Sequence, residues 1–418
     1  MRSSTIILAA ALAALPACSC DRVPANALDA CQATEVLPLA VQTDILFVID
    51  DSGSMREEQA NLSANLSAFI DTLAASPVAD DFRIGVTNTS VEDFDPAWAS
   101  YHAYPAGPSA GVPYPAGALV AVQQDASGLG VPGAFVYDPA TWTTTAGWGG
   151  PRILERSSPA LARDFKANVL VGLSGSGKEQ PFRAARLALS DRLLDANQGF
   201  LRPGARLAVV FVTDEDDCSD TVAPFATSND QCHSPAVKGA VPPILDPPAD
   251  FAAFLLGPID GELRDVAVGA IAGFDPATLA PSCGVVGACA DTACATAYDQ
   301  GDRFAELQAL VGAARVRLGS ICDTSFRDSL TRFAQLLMPT TLPLSGAPAD
   351  WRMLAVSLTR AGGGSVACTV AEEGSAAQGT AGAVYSAPRF GRPAMLTFQQ
   401  GCTLGLGDRI DVRIVCAG

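Results

Sequence analysis

Three short runs without a polar side chain constrain this chain more than any other feature: Ile45 to Ile49, Leu207 to Val212 and Val266 to Ala272. A surface helix shows an apolar stripe, and a half-exposed strand alternates. A continuous apolar run of this length reads instead as a strand covered on both faces, the environment of a parallel sheet between helices. Helical patterns separate the runs. Leu62, Leu66, Phe69, Ile70 and Leu73 form one apolar stripe, and Ser54 and Glu57 stand at capping-box spacing before it. Phe82 to Val86 predicts a second strand, which makes 45–86 a β-α-β unit. Further helices are predicted over Phe182 to Asn197, with Pro181 in the first turn and Gly199 at the end, and over Phe251 to Leu256, Phe304 to Val311 and Ser325 to Leu337. The expected fold class is α/β, a doubly wound, mostly parallel sheet flanked by helices, with long loop insertions.

Two segments interrupt the alternation. Between Ile84 and Pro151 there is no Lys or Arg, while Pro and Gly are frequent and Trp98, Trp142, Trp148, Tyr101, Tyr104, Tyr114 and Tyr137 all occur. Residues 91–157 are too many for a bare connection, so an ordered insertion is expected. Leaving the carboxyl end of a strand, its rings are expected to form part of a binding surface. A second insertion, 273–300, carries cysteines. Beyond Pro339 short alternating runs, Met353 to Leu358 and Ile410 to Val415, are broken by glycines, which predicts a small disulfide-stapled β module over 340–418.

The first residues point to export. Arg2 precedes an apolar stretch from Thr5 to Ala14, shorter than the ~20 residues a spanning helix needs. Leu15-Pro16-Ala17-Cys18 resembles a bacterial lipobox, implying a signal peptide over 1–17, lipidation of Cys18 and a tether over 18–41. A plain secretory signal is the alternative. Ser19 is not an acidic retention signal, so outer-membrane anchoring is expected, with the lipid as the sole membrane contact. Of the 12 cysteines, ten lie beyond Cys20. An even number in an oxidising compartment reads as disulfides, and no C-x₂-C pair suggests zinc. Cys218–Cys232 is the favoured pairing, since it closes a loop directly after a strand. A formal net charge of −17 argues against nucleic acid, whose phosphates require clustered cations. His102 and His233 are the only histidines, too few for chemistry built on imidazole.

The first apolar run leads into Asp50-Asp51-Ser52-Gly53-Ser54-Met55. Open α/β sheets place ligands at the carboxyl ends of their strands. A carboxylate and two hydroxyls in a tight turn suit a hard divalent cation. The hydroxyls add no charge and leave the ion able to accept another oxygen. This Asp-x-Ser-x-Ser motif resembles the metal-ion-dependent adhesion site of von Willebrand factor type A domains, most closely the secreted bacterial members. The resemblance spans about 42–338. It implies a threonine from a second loop and an aspartate after a later strand. Asp214, after the second apolar run, matches the aspartate. The second loop, Gly172 to Gly177, has no threonine, so Ser174 or Ser176 takes its place. The implied site is Asp50, Ser52, Ser54, Ser174 and Asp214 around Mg²⁺, Mn²⁺ or Ca²⁺, open to an oxygen donor from a protein or glycan partner. Glu215, Asp216 and Asp217, with Asp220, are candidates for an accessory Ca²⁺ site, because clustered carboxylates repel unless a cation screens them.

Other motifs fail on single residues. Gly172 to Glu179 approaches a phosphate loop, but Glu179 stands where Ser or Thr is required. A nucleophile elbow needs glycine at Ser176. The expected function is therefore a non-enzymatic, exported, lipid-anchored envelope protein that captures a partner through a metal. A structural envelope scaffold stabilised by metal is the alternative. A metal-dependent hydrolase stands behind both, lacking a histidine-carboxylate shell and an evident general base.

Overall fold

The computed structural model describes residues 34–35, 41–78, 80–94, 100–136, 150–220, 234–238, 240, 243–284, 292–344, 346–348, 350–389, 393–405 and 407–414. Its largest sheet contains β1 (Val41–Ile49), β2 (Asp80–Asn88), β3 (Ile153–Glu155), β4 (Arg206–Val212), β5 (Val266–Ala272) and β6 (Val316–Ser320), in the order β6-β5-β4-β1-β2-β3. The three apolar runs are β1, β4 and β5, and their side chains divide between two cores as strand alternation requires. Ile45, Phe47 and Ile49 join one core with Leu62, Leu66 and Phe69 of α1 (Arg56–Ala74), Phe165 of α2 (Leu161–Asn168) and Phe333 of a helix at Arg327–Leu337. Leu46 and Val48 join the other with Phe182 of α3 (Pro181–Ala188), Phe251 of α4 (Pro248–Leu256) and Phe304 of α5 (Asp302–Val311).

The molecule as a whole is not the doubly wound, mostly parallel sheet expected from the alternation. The described residues form six sheets, of which the other five have two or four strands, and the six-stranded one is itself mixed. β1 is parallel to β2 and β4, but β3 is antiparallel to β2. The long insertion explains the reversal. It leaves the carboxyl end of β2 and returns from that same end, so the returning strand must run backwards, as in a hairpin. β3, α2 and β6 carry too few apolar residues to be read from periodicity.

The helix predicted to Asn197 ends at Ala188 and resumes only as a 3₁₀ turn, Asp191–Leu194. The insertion packs on its end. A Cβ at Gly117 would lie 2.5 Å from the Ala188 nitrogen, and Asn197 Nδ2 donates to the carbonyls of Gly117 (2.9 Å) and Ala188 (3.0 Å).

The C-terminal region forms two four-stranded sheets. One contains Leu354–Thr359, Ser365–Cys368 and Arg409–Ile414, and it is completed by Thr34–Glu35 from the supposed tether, antiparallel to Arg409–Ile414. The 18–41 tether is therefore not all linker. Cys368–Cys402 lies in this module's core, and Cys294–Cys322 ties the second insertion to the end of β6. Val41 and Val78 pack into the module, and the Gly407 amide donates to the Ala75 carbonyl at 3.0 Å. The module thus sits at the amino ends of β1 and β2, away from Asp50.

Asp80 begins β2, buried beneath this junction. Burial pushes its carboxyl up to about 6, although the Thr43 hydroxyl (3.1 Å) and nearby arginines pull it down. The native state then holds a proton that the unfolded chain has released above pH ~4. Stability from this group is present below the unfolded value and is lost as pH rises through 6, by up to about 3 kcal/mol. Urea midpoints measured from pH 4 to 7.5 should fall with pH, and more steeply in the native sequence than in Asp80→Asn.

Candidate metal centre

The carboxyl end of β1 delivers Asp50 beside the end of β4, where the Asp50 amide donates to the Val212 carbonyl at 2.9 Å. Asp50 is fully buried and accepts from the Ser52 amide (2.7 Å, Oδ1) and from the Thr213 hydroxyl (2.7 Å, Oδ2). The hydroxyls of Ser52 and Ser54 are 3.1 Å apart, and Ser54 Oγ donates to Asp214 Oδ1 at 3.1 Å. Asp50, Ser52, Ser54 and Asp214 are thus one contiguous group, with Ser54 exposed at its mouth. Ser54 does not cap α1: the cap is Met55, without a side-chain hydrogen bond. The expected capping box is absent because the hydroxyl is used across the site.

Asp51 fastens three loops together. Its carboxylate accepts from Asn88 Nδ2 (2.6 Å), Ser90 Oγ (2.7 Å) and the Tyr104 hydroxyl (2.9 Å), and its carbonyl accepts from the Gly175 amide (2.8 Å). A Cβ at Gly175 would lie 2.2 Å from the Asp51 carboxyl carbon, so glycine is required there. Burial raises Asp51 to about 8, against the hydrogen bonds from Ser90 and Tyr104, with the Asp50 charge adding to the rise. Gln59 on α1 bridges the same loops, donating to the carbonyls of Asp50 (2.8 Å) and Gly172 (2.7 Å).

Of the two serines expected from the second loop, Ser176 is engaged elsewhere. Ser176 is buried, with Oγ donating to the Glu92 carbonyl at 2.9 Å and accepting from the Lys178 amide at 2.9 Å. Ser174 lies against the insertion, where a Cβ on Gly107 would come within 2.7 Å of its Oγ. Two residues beyond this loop, Glu179 is fully buried, and its charge adds to the repulsion on Asp214. In the sequence Glu179 stands out only as a defect in a phosphate loop. Lys178, the other residue of that near-motif, is buried against Asp220 (2.9 Å).

The acidic run divides by direction. Asp214 and Glu215 face the centre, and both are raised well above the ordinary carboxylate range, first by burial. For Asp214 the Asp50 charge is the next contributor. Asp216 and Asp217 do not form the expected accessory metal site, because protein cations answer them. Asp216 meets Lys238 Nζ at 2.9 Å, and Lys238 also meets Asp299 at 2.5 Å. Asp217 pairs with Arg303 at 3.0 Å and accepts from the Phe182 amide at 3.0 Å, capping α3 from a distance. Among the described residues no three His, Cys, Asp or Glu side chains form a metal-holding group. The donors assembled at the β1 end are mixed, two carboxylates and two hydroxyls.

Of the insertion's rings, Trp98, Trp142, Trp148 and Tyr137 lie outside the described residues. Tyr104 and Tyr114 are buried edge to face, 4.9 Å apart, with Phe135 5.5 Å from Tyr104. Tyr104 and Tyr114 are thus turned inward, while Phe135, partly buried, packs against the main core. Cys218 is disulfide-bonded; Cys232, its expected partner, lies outside the described residues, as do Cys18 and the signal segment. Among the described residues no helix is long and apolar enough to cross a membrane.

No family model matches the chain, and no curated protein matches it. Among solved structures it is similar to proximal thread matrix protein 1 from the mussel byssus, at 14% identity over 73% of this chain and 49% of that one, with a TM-score of 0.33. It is also similar to the pilus adhesin SpaC from Lactobacillus rhamnosus GG in its open conformation (9% identity, 91% and 39% covered, TM-score 0.38). A third is the pilus adhesin RrgA from Streptococcus pneumoniae (11% identity, 92% and 57% covered, TM-score 0.30). The chain spans about half the length of these proteins.

Proposed function

We propose that this chain is an exported binding protein that captures its partner through a divalent cation held by Asp50, Ser52, Ser54 and Asp214. The observation that carries this reading is the 3.1 Å contact between Ser54 Oγ and Asp214 Oδ1. It joins a motif loop to an aspartate 160 residues away, as the resemblance to type A domain adhesion sites implies. The donor set fits a hard cation, since every group is an oxygen and the hydroxyls leave the ion electrophilic. Carboxylates raised first by burial and then by mutual repulsion supply a reason to bind positive charge. When bound, the metal would offer a coordination position to an oxygen of a protein or glycan. The protein's residues orient that position: Thr213 fixes Asp50, and Gln59 fixes the loops on either side.

The disulfides agree with an oxidising compartment. Lipidation at Cys18 would hold the chain to the outer membrane. The test uses immobilised protein and solubilised material from the native envelope. Partner capture should vanish with chelator and return when Mg²⁺, Mn²⁺ or Ca²⁺ is restored. Capture that survives chelation would favour the scaffold role, with metal only stabilising the fold.

A further inference from the structure

We propose that the Cys294–Cys322 disulfide is a positioning device for Asp214, holding the second insertion against that residue's backbone so that its carboxylate keeps the contact with Ser54. The inference rests on the metal-binding reading above and deepens it. At the end of β4 the Thr213 amide still bonds the Ile271 carbonyl of β5, at 3.1 Å. One residue on, the Asp214 carbonyl accepts two amides from the insertion instead, Tyr298 at 2.7 Å and Asp299 at 3.1 Å. The insertion leaves β5 at Gly273, where a Cβ would lie 2.1 Å from the Asp299 carbonyl oxygen, so its two ends touch and only glycine fits. Among its described residues there is no helix or strand, only a single bridge between Phe274 and Pro281. A segment with so little ladder of its own depends on cross-links to keep one shape.

The disulfide joins that segment to the other half of the site. Cys294 is fully buried in the core that also holds Ile49 and Met55, on either side of the motif loop, and its amide donates to the Ser282 hydroxyl at 3.0 Å. Cys322 stands two residues past β6, its amide donating to Ser320 Oγ at 3.1 Å. The carbonyl of the next residue, Asp323, accepts from Asn61 Nδ2 at 3.1 Å, and the Phe326 amide donates to Asn61 Oδ1 at 3.1 Å. Asn61 belongs to α1, which starts directly after the motif loop. Contacts therefore run without a gap from Asp214 through the insertion and the disulfide to α1. Groups that orient a metal ligand from behind are worth about 10–100-fold in affinity. Cys283 is disulfide-bonded as well, so loss of Cys294–Cys322 alone should fall at the lower end of that range.

The experiment compares the full native chain with two double variants, Cys294→Ala with Cys322→Ala, and Cys368→Ala with Cys402→Ala. The two bonds span 28 and 34 residues, so their loss should release nearly the same chain entropy. Only their place relative to the site differs. Calorimetry with Mg²⁺, Mn²⁺ and Ca²⁺ reads affinity, and hydrogen exchange reads the peptide carrying Tyr298 and Asp299. Both variants should melt earlier than the native protein. The first should bind cation about tenfold more weakly and exchange faster at that peptide, whereas the second should match the native protein in both readings. Should the first variant fail to fold, both readings are taken on folded native protein in which a phosphine reductant has opened the bond at the partly exposed Cys322, as confirmed by alkylation and peptide mapping. Unchanged affinity, unchanged exchange, or an equal loss in the second variant would each overturn the inference. A native protein that binds no cation would overturn the metal reading alone, and faster exchange confined to the first variant would still place Asp214 under the control of the cross-link.

Discussion

Asp50→Ala should abolish divalent-cation binding, a loss of at least about a hundredfold in affinity, while the chain stays folded. Asp50 is the only carboxylate of the motif loop aimed at the centre, because Asp51 is taken up by Asn88, Ser90 and Tyr104. Without Asp50 the two serines and Asp214 offer a single carboxylate. The fold has reason to survive. β1 behind the motif is held by nine residue pairs with β2 and seven with β4, and none depends on the Asp50 side chain. Thr213 loses one acceptor but also reaches the Glu215 carbonyl at 3.1 Å. Removing Asp50 also relieves repulsion on Asp214 and Glu215. Calorimetry with Mg²⁺, Mn²⁺ and Ca²⁺, beside circular dichroism of the same sample, decides the matter. Unchanged affinity would remove Asp50 from the site.

The second large effect concerns the opposite end of the sheet. Arg202→Ala should cost about 3–5 kcal/mol of stability, because it strands a buried carboxylate. Arg202 Nε meets Asp44 Oδ1 at 2.8 Å, its amide meets Asp44 Oδ2 at 2.7 Å, and its guanidinium reaches Asp81 Oδ2 at 2.8 Å and the Thr43 carbonyl at 3.1 Å. The Asp44 side chain is fully buried. Burial raises its carboxyl even with the arginine in place. In the variant that rise should grow, so the deficit in urea midpoint should be larger at pH 8, where the acid must stay charged or take up a proton at cost, than at pH 5. The exposed pair Arg413–Asp411 (2.6 Å) is the control; its loss should cost no more than about 1 kcal/mol. Equal costs at the two positions would show that burial of Asp44 is not what gives Arg202 its weight.

The strands and the site were unequally legible. β1, β4 and β5 could be read because both faces of each are covered, which leaves an unbroken apolar run. β3 could not, since an edge strand of three residues with one buried side chain carries no period. The motif loop and Asp214 were legible because each follows directly on such a run. Glu179 was not, although it lies only two residues before α3, because an acid after a glycine-rich loop has no local signature of burial.

What the sequence by itself determined is whatever depends on neighbours along the chain: the buried strands, the amphipathic stripe of α1, and the carboxylate and hydroxyls of Asp50, Ser52 and Ser54 in one turn. Tertiary structure decided the rest. It reversed β3, drew Thr34–Glu35 into the C-terminal module, and sorted five neighbouring acids into two that face the centre and three that pair with Lys238, Arg303 and Lys178. The physical reason is range. Apolar burial leaves a periodic trace in local sequence, whereas a buried charge is defined by the group the fold brings within about 3 Å, and here those partners lie 22 to 86 residues away.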